Sequence, residues 1–175
     1  MSSIEIRPAT LEDLPAILDI YNEVIANSTA VYSVEPVTLE NRREWFEART
    51  RAGYPVLVAV GEDGVVGFAT FGEFRGAWVG YRYSVEHSVH VRSDQRGKGI
   101  STRLVEELLP LARGMGKHVM VGAIDASNQG SIRMHERLGF QQVGNMPEVG
   151  RKFGRWLDLV FMQRFLDEPG STREH

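Results

Sequence analysis

The spacing of apolar residues along the chain predicts a mixture of helices and strands. Between Leu14 and Ile25 apolar side chains recur at every third or fourth position, which is typical of the buried face of a helix that follows a cap at Thr10 or Asp13. Short runs bounded by glycine or proline indicate strands. The predicted strands span 4–8, 55–60, 65–71, 83–91, 118–124, 140–144 and 157–165, and three further helices span 38–52, 100–114 and 131–138.

This order of elements mixes hairpins with helical crossovers. We therefore expect an α/β fold, with a mixed central sheet of about seven strands flanked by about four helices. The chain has 175 residues, which suits one domain, and it contains no internal repeat or low-complexity linker. We expect a single domain over residues 1–166 and a disordered tail over 167–175.

Composition excludes several classes of protein. The formal net charge is -3, so no basic field favours nucleic acid as a partner. The chain has no cysteine, which excludes disulfides, a thiolate nucleophile and a zinc site built on cysteine. The first residues lack the pattern of a signal peptide, and no apolar run approaches the length of a membrane span. We expect a cytoplasmic protein that binds neither nucleic acid nor membrane.

A loop rich in glycine and cations follows the strand that ends near Val91, and an amphipathic helix begins directly after it. Backbone N–H groups at such a turn, together with the helix dipole, form a site for anions. The segment lacks the G-x-x-x-x-G-K-[ST] pattern of a P-loop. It also departs from the dinucleotide fingerprint, because Thr102 replaces the third glycine. A simple glycine-rich turn remains the alternative explanation.

Two motifs in this order resemble those of the GNAT acetyltransferases. Arg96-x-x-Gly99-x-Ser101 is similar to the family's pyrophosphate loop, R/Q-x-x-G-x-G/A, although serine replaces the usual final glycine or alanine. The segment NQGSIRMHERLGF, residues 128–140, resembles the block N-x-x-[AS]-x-x-x-Y-x-x-x-G-F. The resemblance extends over residues 4–165 and implies the GNAT fold, with acetyl-CoA as the co-substrate.

The resemblance also assigns expected binding residues for acetyl-CoA. The backbone of the strand before the loop would bind the pantetheine arm, and the Val89 N–H would polarise the thioester carbonyl. The side chain of Asn128 would bond the same arm. The residues expected to bind the cofactor are Val89, His90, Val91, Arg96, Gly97, Lys98, Gly99, Ile100, Ser101, Thr102 and Asn128.

Acetylation of an amine requires two proton movements, and two residues are candidates for them. Glu86 precedes the cofactor strand segment and is the candidate base, although a glutamate pKa of about 4.3 is low against an amine of about 8. Burial, relay through water or simple orientation of the ammonium would reconcile the two values. His135 stands where the family usually has its tyrosine acid. An exposed strand glutamate and a packed histidine are the alternatives.

One branch of the family matches better than the rest. The segments 84–91 (SVEHSVHV), 134–136 (MHE) and 152–158 (KFGRWLD) resemble the phosphinothricin and methionine sulfoximine or sulfone acetyltransferases. That branch implies a small glutamate-like substrate, with arsinothricin as a further candidate, a role in detoxification, and a homodimer whose partner lies near the substrate cleft.

A substrate of that kind requires a cation for its carboxylate. A guanidinium can bind a carboxylate through two parallel bonds, which favours Arg75 and then Arg82. The residues expected to bind substrate are Arg75, Arg82, Glu86, His87 and Ser88. No metal is expected, because the odd spacing of His87 and His90 directs them to opposite faces of a strand.

Two other functions remain open. An acetyltransferase acting on protein or peptide N-termini would have an open groove instead of a narrow pocket lined by arginine. A CoA-binding sensor without turnover would use the same fold, and the presence of both Glu86 and His135 argues against it.

Overall fold

A seven-stranded mixed sheet forms the centre of the protein in the computed structural model, which describes residues 3–167. The strands are β1 (Glu5–Pro8), β2 (Val56–Gly61), β3 (Gly64–Glu73), β4 (Ser84–Val91), β5 (Val119–Asp125), β6 (Gln141–Lys152) and β7 (Arg155–Phe165). Their order is β1-β2-β3-β4-β5-β7-β6. Only β4 and β5 pair in parallel, and every other neighbouring pair is antiparallel. The predicted α/β class and mixed sheet are confirmed.

Four helices flank this sheet: α1 (Leu14–Asn27), α2 (Leu39–Arg51), α3 (Ile100–Gly114) and α4 (Gln129–Arg137). The start of α2 agrees with the sequence, because the Thr38 side chain accepts a hydrogen bond from the Asn41 N–H and so caps the helix. Gly53 follows its end with a left-handed φ of 79°. No helix within residues 3–167 is long and apolar enough to cross a membrane.

The core has two parts, one on each face of the sheet. On one face, buried side chains of α1 such as Leu14 and Ile17 pack with Val58 and Phe68 of the sheet. On the other face, α3 and α4 bury a larger cluster around Leu104. Burial on both faces explains why the central strands are mostly apolar without strict alternation.

The parallel pair β4 and β5 separates part of the way along its length. Hydrogen-bonded register runs from Ser84 opposite Val119 to His87 opposite Gly122. Beyond that point β4 continues to Val91 and β5 to Asp125, and the described residues show no further pairing between the two strands. The separation leaves an opening in the middle of the sheet. Two cavities lie at this opening.

The C-terminal hairpin differs from the sequence prediction. The predicted end of the sixth strand at Gly144 is wrong, since β6 continues to Lys152 and pairs with β7 from Arg155 onwards. Register shifts between Gln142 and Gly144 and between Met146 and Gly150 interrupt the alternation of faces, so periodicity alone could not reveal the full length. The predicted tail, 167–175, lies outside the described residues except for Asp167, which pairs with His118.

Candidate active site

The opening between β4 and β5 connects two cavities. The large cavity has a volume of about 790 Å³ and lies at the start of α3. The small cavity has a volume of about 420 Å³ and lies toward α2. Both are lined by Ala30, Val89, His90, Asn128 and Ser131, so they meet at the exposed edge of β4.

The large cavity contains the predicted anion loop. Its lining includes Arg96, Gly97, Gly99, Ile100, Ser101 and Thr102. Gly97 and Gly99 have φ values of 75° and 76°, a left-handed conformation that favours glycine and lets backbone amides face a ligand. The free N–H groups of α3 and the charge of Arg96 suit a pyrophosphate. Lys98 does not line this cavity, and its Nζ donates to Gln95 Oε1 at 2.9 Å.

The backbone of β4 presents alternate amides to the opening. The Arg92 N–H donates to Val66 O at 2.8 Å on the β3 side. Because backbone groups of an antiparallel strand alternate in direction, the His90 amide also faces β3, and the amides of Val89 and Val91 face the opening. Two of the three predicted backbone sites are therefore directed toward a ligand between β4 and β5.

Asn128 lies where the two cavities join. Its Oδ1 accepts a hydrogen bond from the Ser131 N–H at 3.1 Å and so caps α4. Capping fixes the orientation of the amide and leaves its Nδ2 to donate to a ligand. This arrangement is compatible with the predicted contact to the pantetheine arm.

Glu86 and Ser88 line the small cavity from β4. Burial raises the pKa of the half-buried Glu86 carboxyl, and the charge of Arg49 partly opposes that rise. A raised pKa brings a carboxylate closer to the range in which it exchanges protons with an amine. The position and the pKa both fit the expected role of Glu86.

Two arginines that the sequence analysis did not select line the same cavity. Arg42 and Arg49 lie seven residues apart on one face of α2. The Arg42 guanidinium stacks on the rings of Tyr21 and Trp45, at 4.3 Å and 4.9 Å from their centroids. Because α2 is polar along most of its length, no apolar face distinguishes these two arginines from its solvent-exposed ones. The available signal was their spacing of two helical turns.

The two predicted carboxylate-binding arginines lie elsewhere. Arg75, which has a left-handed φ of 53°, stacks on Trp78 and Tyr81. Arg82 stacks on Tyr83 and donates to its hydroxyl at 3.1 Å. Neither residue lines either of the two cavities. Among residues 3–167, the arginines that line the small cavity with Glu86 are Arg42 and Arg49.

His135 lies at the base of the small cavity and contacts His87. Their Nε2 atoms are 3.0 Å apart, and the Nδ1 of His135 lies 2.7 Å from the Ser131 carbonyl oxygen. Burial lowers the pKa of His135 and lowers that of His87 to about 3. His90 packs against Tyr21 and Phe68 on the opposite face of β4, as the odd spacing predicts. Within residues 3–167 no three His, Asp or Glu side chains form a candidate metal site.

Residues 28–32, which follow α1, close one side of both cavities and are attached to the C-terminal hairpin. The buried Lys152 ammonium donates to Ser28 O at 2.6 Å and to Val31 O at 2.8 Å. The Tyr32 hydroxyl contacts Asp125 Oδ2 at 3.1 Å and Asp158 O at 3.0 Å. The two bonds from Lys152 and the one proton of the Tyr32 hydroxyl, which has two acceptors in reach, hold residues 28–32 against β5 and the C-terminal hairpin.

Comparison with known proteins agrees with this geometry. Residues 17–140 match the model of the acetyltransferase (GNAT) family. The chain is 54% identical to an L-methionine sulfoximine/L-methionine sulfone acetyltransferase of Pseudomonas paraeruginosa, over 97% of this chain and 99% of that protein.

Two solved structures are similar along nearly their whole length. A phosphinothricin acetyltransferase from Sinorhizobium meliloti in complex with acetyl-CoA has a TM-score of 0.92 and 37% identity, covering 98% of this chain and 93% of that one. A ribosomal-protein-alanine N-acetyltransferase from Brucella melitensis has a TM-score of 0.90 and 48% identity, covering 92% and 99%. With the parted strands, the glycine loop and the family match in agreement, the chain belongs to the GNAT acetyltransferases.

Proposed function

We propose that this protein transfers an acetyl group from acetyl-CoA to the α-amino group of methionine sulfoximine, methionine sulfone and phosphinothricin-like compounds. The observation that carries the proposal is the small cavity, which places Glu86, Arg49 and His135 around one space that joins the large cavity. The similarity to a methionine sulfoximine/sulfone acetyltransferase supports the choice of substrate. Arsinothricin belongs to the same chemical class and is a further candidate.

Acetyl-CoA supplies the acetyl group as a thioester. Arg96, the amides around Gly97 and Gly99, and the start of α3 would hold its pyrophosphate in the large cavity. The Val89 N–H would donate to the thioester carbonyl and stabilise the negative charge that develops there. Asn128 Nδ2 would orient the pantetheine arm, which connects the pyrophosphate to the thioester.

The substrate would bind between Glu86 and the two arginines of α2. Arg49 is the arginine whose charge acts on the Glu86 carboxyl. It would bind the α-carboxylate of the substrate, and Glu86 would contact the ammonium. Arg42 would bind the oxygen-bearing group at the far end of the side chain. Two cations and one carboxylate match the charges of phosphinothricin, and the second cation can also donate to the uncharged sulfone oxygens of methionine sulfone. The same charges disfavour polyamines.

The nitrogen loses two protons as the ammonium becomes an amide, and the departing sulfur gains one. Glu86 would take the first proton and pass it to solvent. His135, which burial keeps neutral, would take the second and return it to the sulfur. His135→Ala should therefore lower kcat more than it weakens acetyl-CoA binding. A defect confined to cofactor affinity would remove His135 from this role.

We also propose that the protein is a homodimer. The C-terminal hairpin carries a row of exposed apolar side chains, a feature that often marks a protein interface: Val143, Met146, Val149, Phe153 and Trp156. Light scattering should give the mass of a dimer, and Trp156→Glu should shift it toward the monomer. A monomeric wild type would refute this part of the proposal.

A second candidate is acetylation of a protein N-terminus. The similarity to a ribosomal-protein-alanine N-acetyltransferase favours it, while the size and charges of the small cavity favour a small molecule. Thiol release with acetyl-CoA should be measured for methionine sulfoximine, methionine sulfone, phosphinothricin, arsinothricin, spermidine and an alanine-terminated peptide. We expect the glutamate analogues to give the highest kcat/KM. A better peptide would replace the proposal, and absence of turnover with every compound would favour a CoA-binding sensor.

A further inference from the structure

Two imidazole rings meet at the base of the small cavity. His87 from β4 and His135 from α4 have exposed fractions of 7% and 1%, and their ring centroids are 5.0 Å apart. At 3.0 Å the two Nε2 atoms form a hydrogen bond, which requires that one of them carries the proton and the other is bare.

The other contact of His135 decides which atom carries it. Nδ1 of His135 lies 2.7 Å from the Ser131 carbonyl oxygen, and a carbonyl can only accept, so this Nδ1 is protonated. Since burial keeps the ring neutral, its Nε2 is bare and accepts from His87 Nε2. Neutral His87 then has a bare Nδ1, which is the buried atom that lacks a hydrogen-bond partner among residues 3–167.

The surroundings hold both rings in this arrangement. The Phe140 ring packs against both, with centroids 5.5 Å from His87 and 5.1 Å from His135. Gly122 on β5 provides the necessary space, since a Cβ there would lie 3.1 Å from His87 Cε1 and 3.5 Å from His135 Nε2. In this arrangement His87 bonds His135 through Nε2 and has no partner for Nδ1 among residues 3–167. Buried polar atoms without a partner are uncommon in native proteins, so this one calls for an explanation.

We propose that His87 is a positioning residue, which donates a hydrogen bond to His135 Nε2 and so fixes the ring and tautomer of His135. In the resting enzyme the single lone pair of His135 Nε2 would then accept from His87, so His135 would take up the second proton only once this hydrogen bond opens. The inference rests on the proposed function of His135 and extends it to a second residue that need not touch the substrate. The charged groups that line the same cavity are Glu86, Asp125, Arg42 and Arg49. His90 also lines it, with its ring on the other face of β4 from His87, against Tyr21 and Phe68.

The tautomer can be observed directly in the wild-type protein without substrate. Long-range proton–nitrogen NMR spectra of protein labelled with ¹⁵N-histidine distinguish a protonated nitrogen from a bare one in each ring. We expect His135 to be protonated at Nδ1 and bare at Nε2, with the reverse in His87. Protonation of His135 at Nε2 alone would overturn the inference, and this result is independent of whether any proposed substrate is acetylated.

Two variants test the functional consequence. His87→Phe preserves an aromatic ring but cannot donate, and displacement of a catalytic group lowers rates by up to about a hundredfold, so kcat should fall by about ten- to a hundredfold. KM for acetyl-CoA should stay within about twofold of the wild type. In His87→Gln the amide nitrogen lies near the position of Nε2, so this variant should recover most of kcat and the Nδ1–H form of His135.

His118→Phe is the control for a histidine replaced outside the site, since the half-exposed His118 lines neither cavity. If His87→Phe and His87→Gln lowered kcat equally, or if neither lowered it, His87 would be a packing residue and the inference would fail. Unchanged His135 resonances in His87→Phe would have the same meaning. If His87→Phe did not fold, the wild-type spectra and His87→Gln would still decide.

Discussion

Gly72 on β3 and Arg49 on α2 share one space, because the Nη1 atom of Arg49 lies where the Cβ of any larger residue at position 72 would be. The overlapping group is the far end of a flexible side chain, so Gly72→Ala should move Arg49 and leave the fold intact. We expect a higher KM for methionine sulfoximine and an unchanged KM for acetyl-CoA in steady-state kinetics. Gly80→Ala, where a Cβ meets open space, is the matched control. An unchanged substrate KM in Gly72→Ala would show that the position of Arg49 does not affect binding.

Direct removal of Arg49 should have a larger effect. A hydrogen bond to a charged group contributes about 1.5–3 kcal/mol, so Arg49→Ala should lower kcat/KM for methionine sulfoximine by about ten- to a hundredfold. Arg75→Ala should lower it less, because Arg75 lies outside the two cavities of the chain. Arg51→Ala, on the exposed side of the same helix, is the control. A greater loss with Arg75→Ala than with Arg49→Ala would assign the carboxylate to Arg75, as the sequence alone suggests.

Glu86→Gln should remove the proton acceptor for the ammonium. General bases contribute about a hundredfold to ten-thousandfold, so a loss of that order in kcat is expected at neutral pH. High pH should partly restore the rate, because more of the substrate is then present as free amine. In the wild type, burial raises the pKa of Glu86, so the acidic limb of the pH profile should lie above that of an ordinary glutamate. Glu73→Gln is the control, because Glu73 lies on β3 next to Gly72, the residue that pairs with Glu86. A variant rate that is flat with pH would contradict this role.

The role of the glycine loop in binding acetyl-CoA can be tested with a second glycine of similar backbone conformation as the control. Gly99 and Gly116 precede and follow α3, with left-handed φ values of 76° and 72° and open space around both. Gly99→Trp should raise KM for acetyl-CoA severalfold or more, whereas Gly116→Trp carries the same backbone strain away from the cavity and should not. Equal KM values in the two variants would refute the assignment of the loop.

Acid should destabilise the fold through its buried histidines. In the unfolded chain a histidine has a pKa of about 6.5, whereas burial lowers the pKa of His87 to about 3 in the folded protein. Between these values the unfolded chain binds a proton that the folded chain does not, so the free energy of unfolding falls as pH falls. Urea unfolding at pH 7, 6 and 5 should show this decline, with a shallower slope in His87→Phe. Parallel slopes would indicate that His87 is protonated at little cost in the native state.

The sequence predicted the elements that determine the fold more reliably than the side chains that line the small cavity. Helix α3 and the loop before it are local features, since glycine, cations and an amphipathic pattern lie within about a dozen residues. The same holds for Asn128 and His135, which are brought together by one short helix. Their places in the structure agree with the motifs that suggested them.

Arg49 and His87 acquire their surroundings from distant parts of the chain. Arg49 depends on the space left by Gly72, and His87 contacts a ring 48 residues away. Neither relationship leaves a periodic pattern, so the sequence could suggest a cation for the substrate but not which arginine supplies it. The length of β6 was missed for a related reason, because its irregular register removes the alternation by which a strand is detected.

The bonds from Lys152 and Tyr32 have a consequence for synthesis of the protein. Residues 28–32 form a wall of both cavities, yet the groups that hold this wall lie at Asp125, Lys152 and Asp158. A nascent chain that has emerged only as far as α4 already has the glycine loop, Glu86 and His135. Of the groups that hold the wall, however, it contains only Asp125 and lacks Lys152 and Asp158. A chain that ends before β6 therefore lacks most of the contacts that hold this wall, and its substrate pocket should be incomplete.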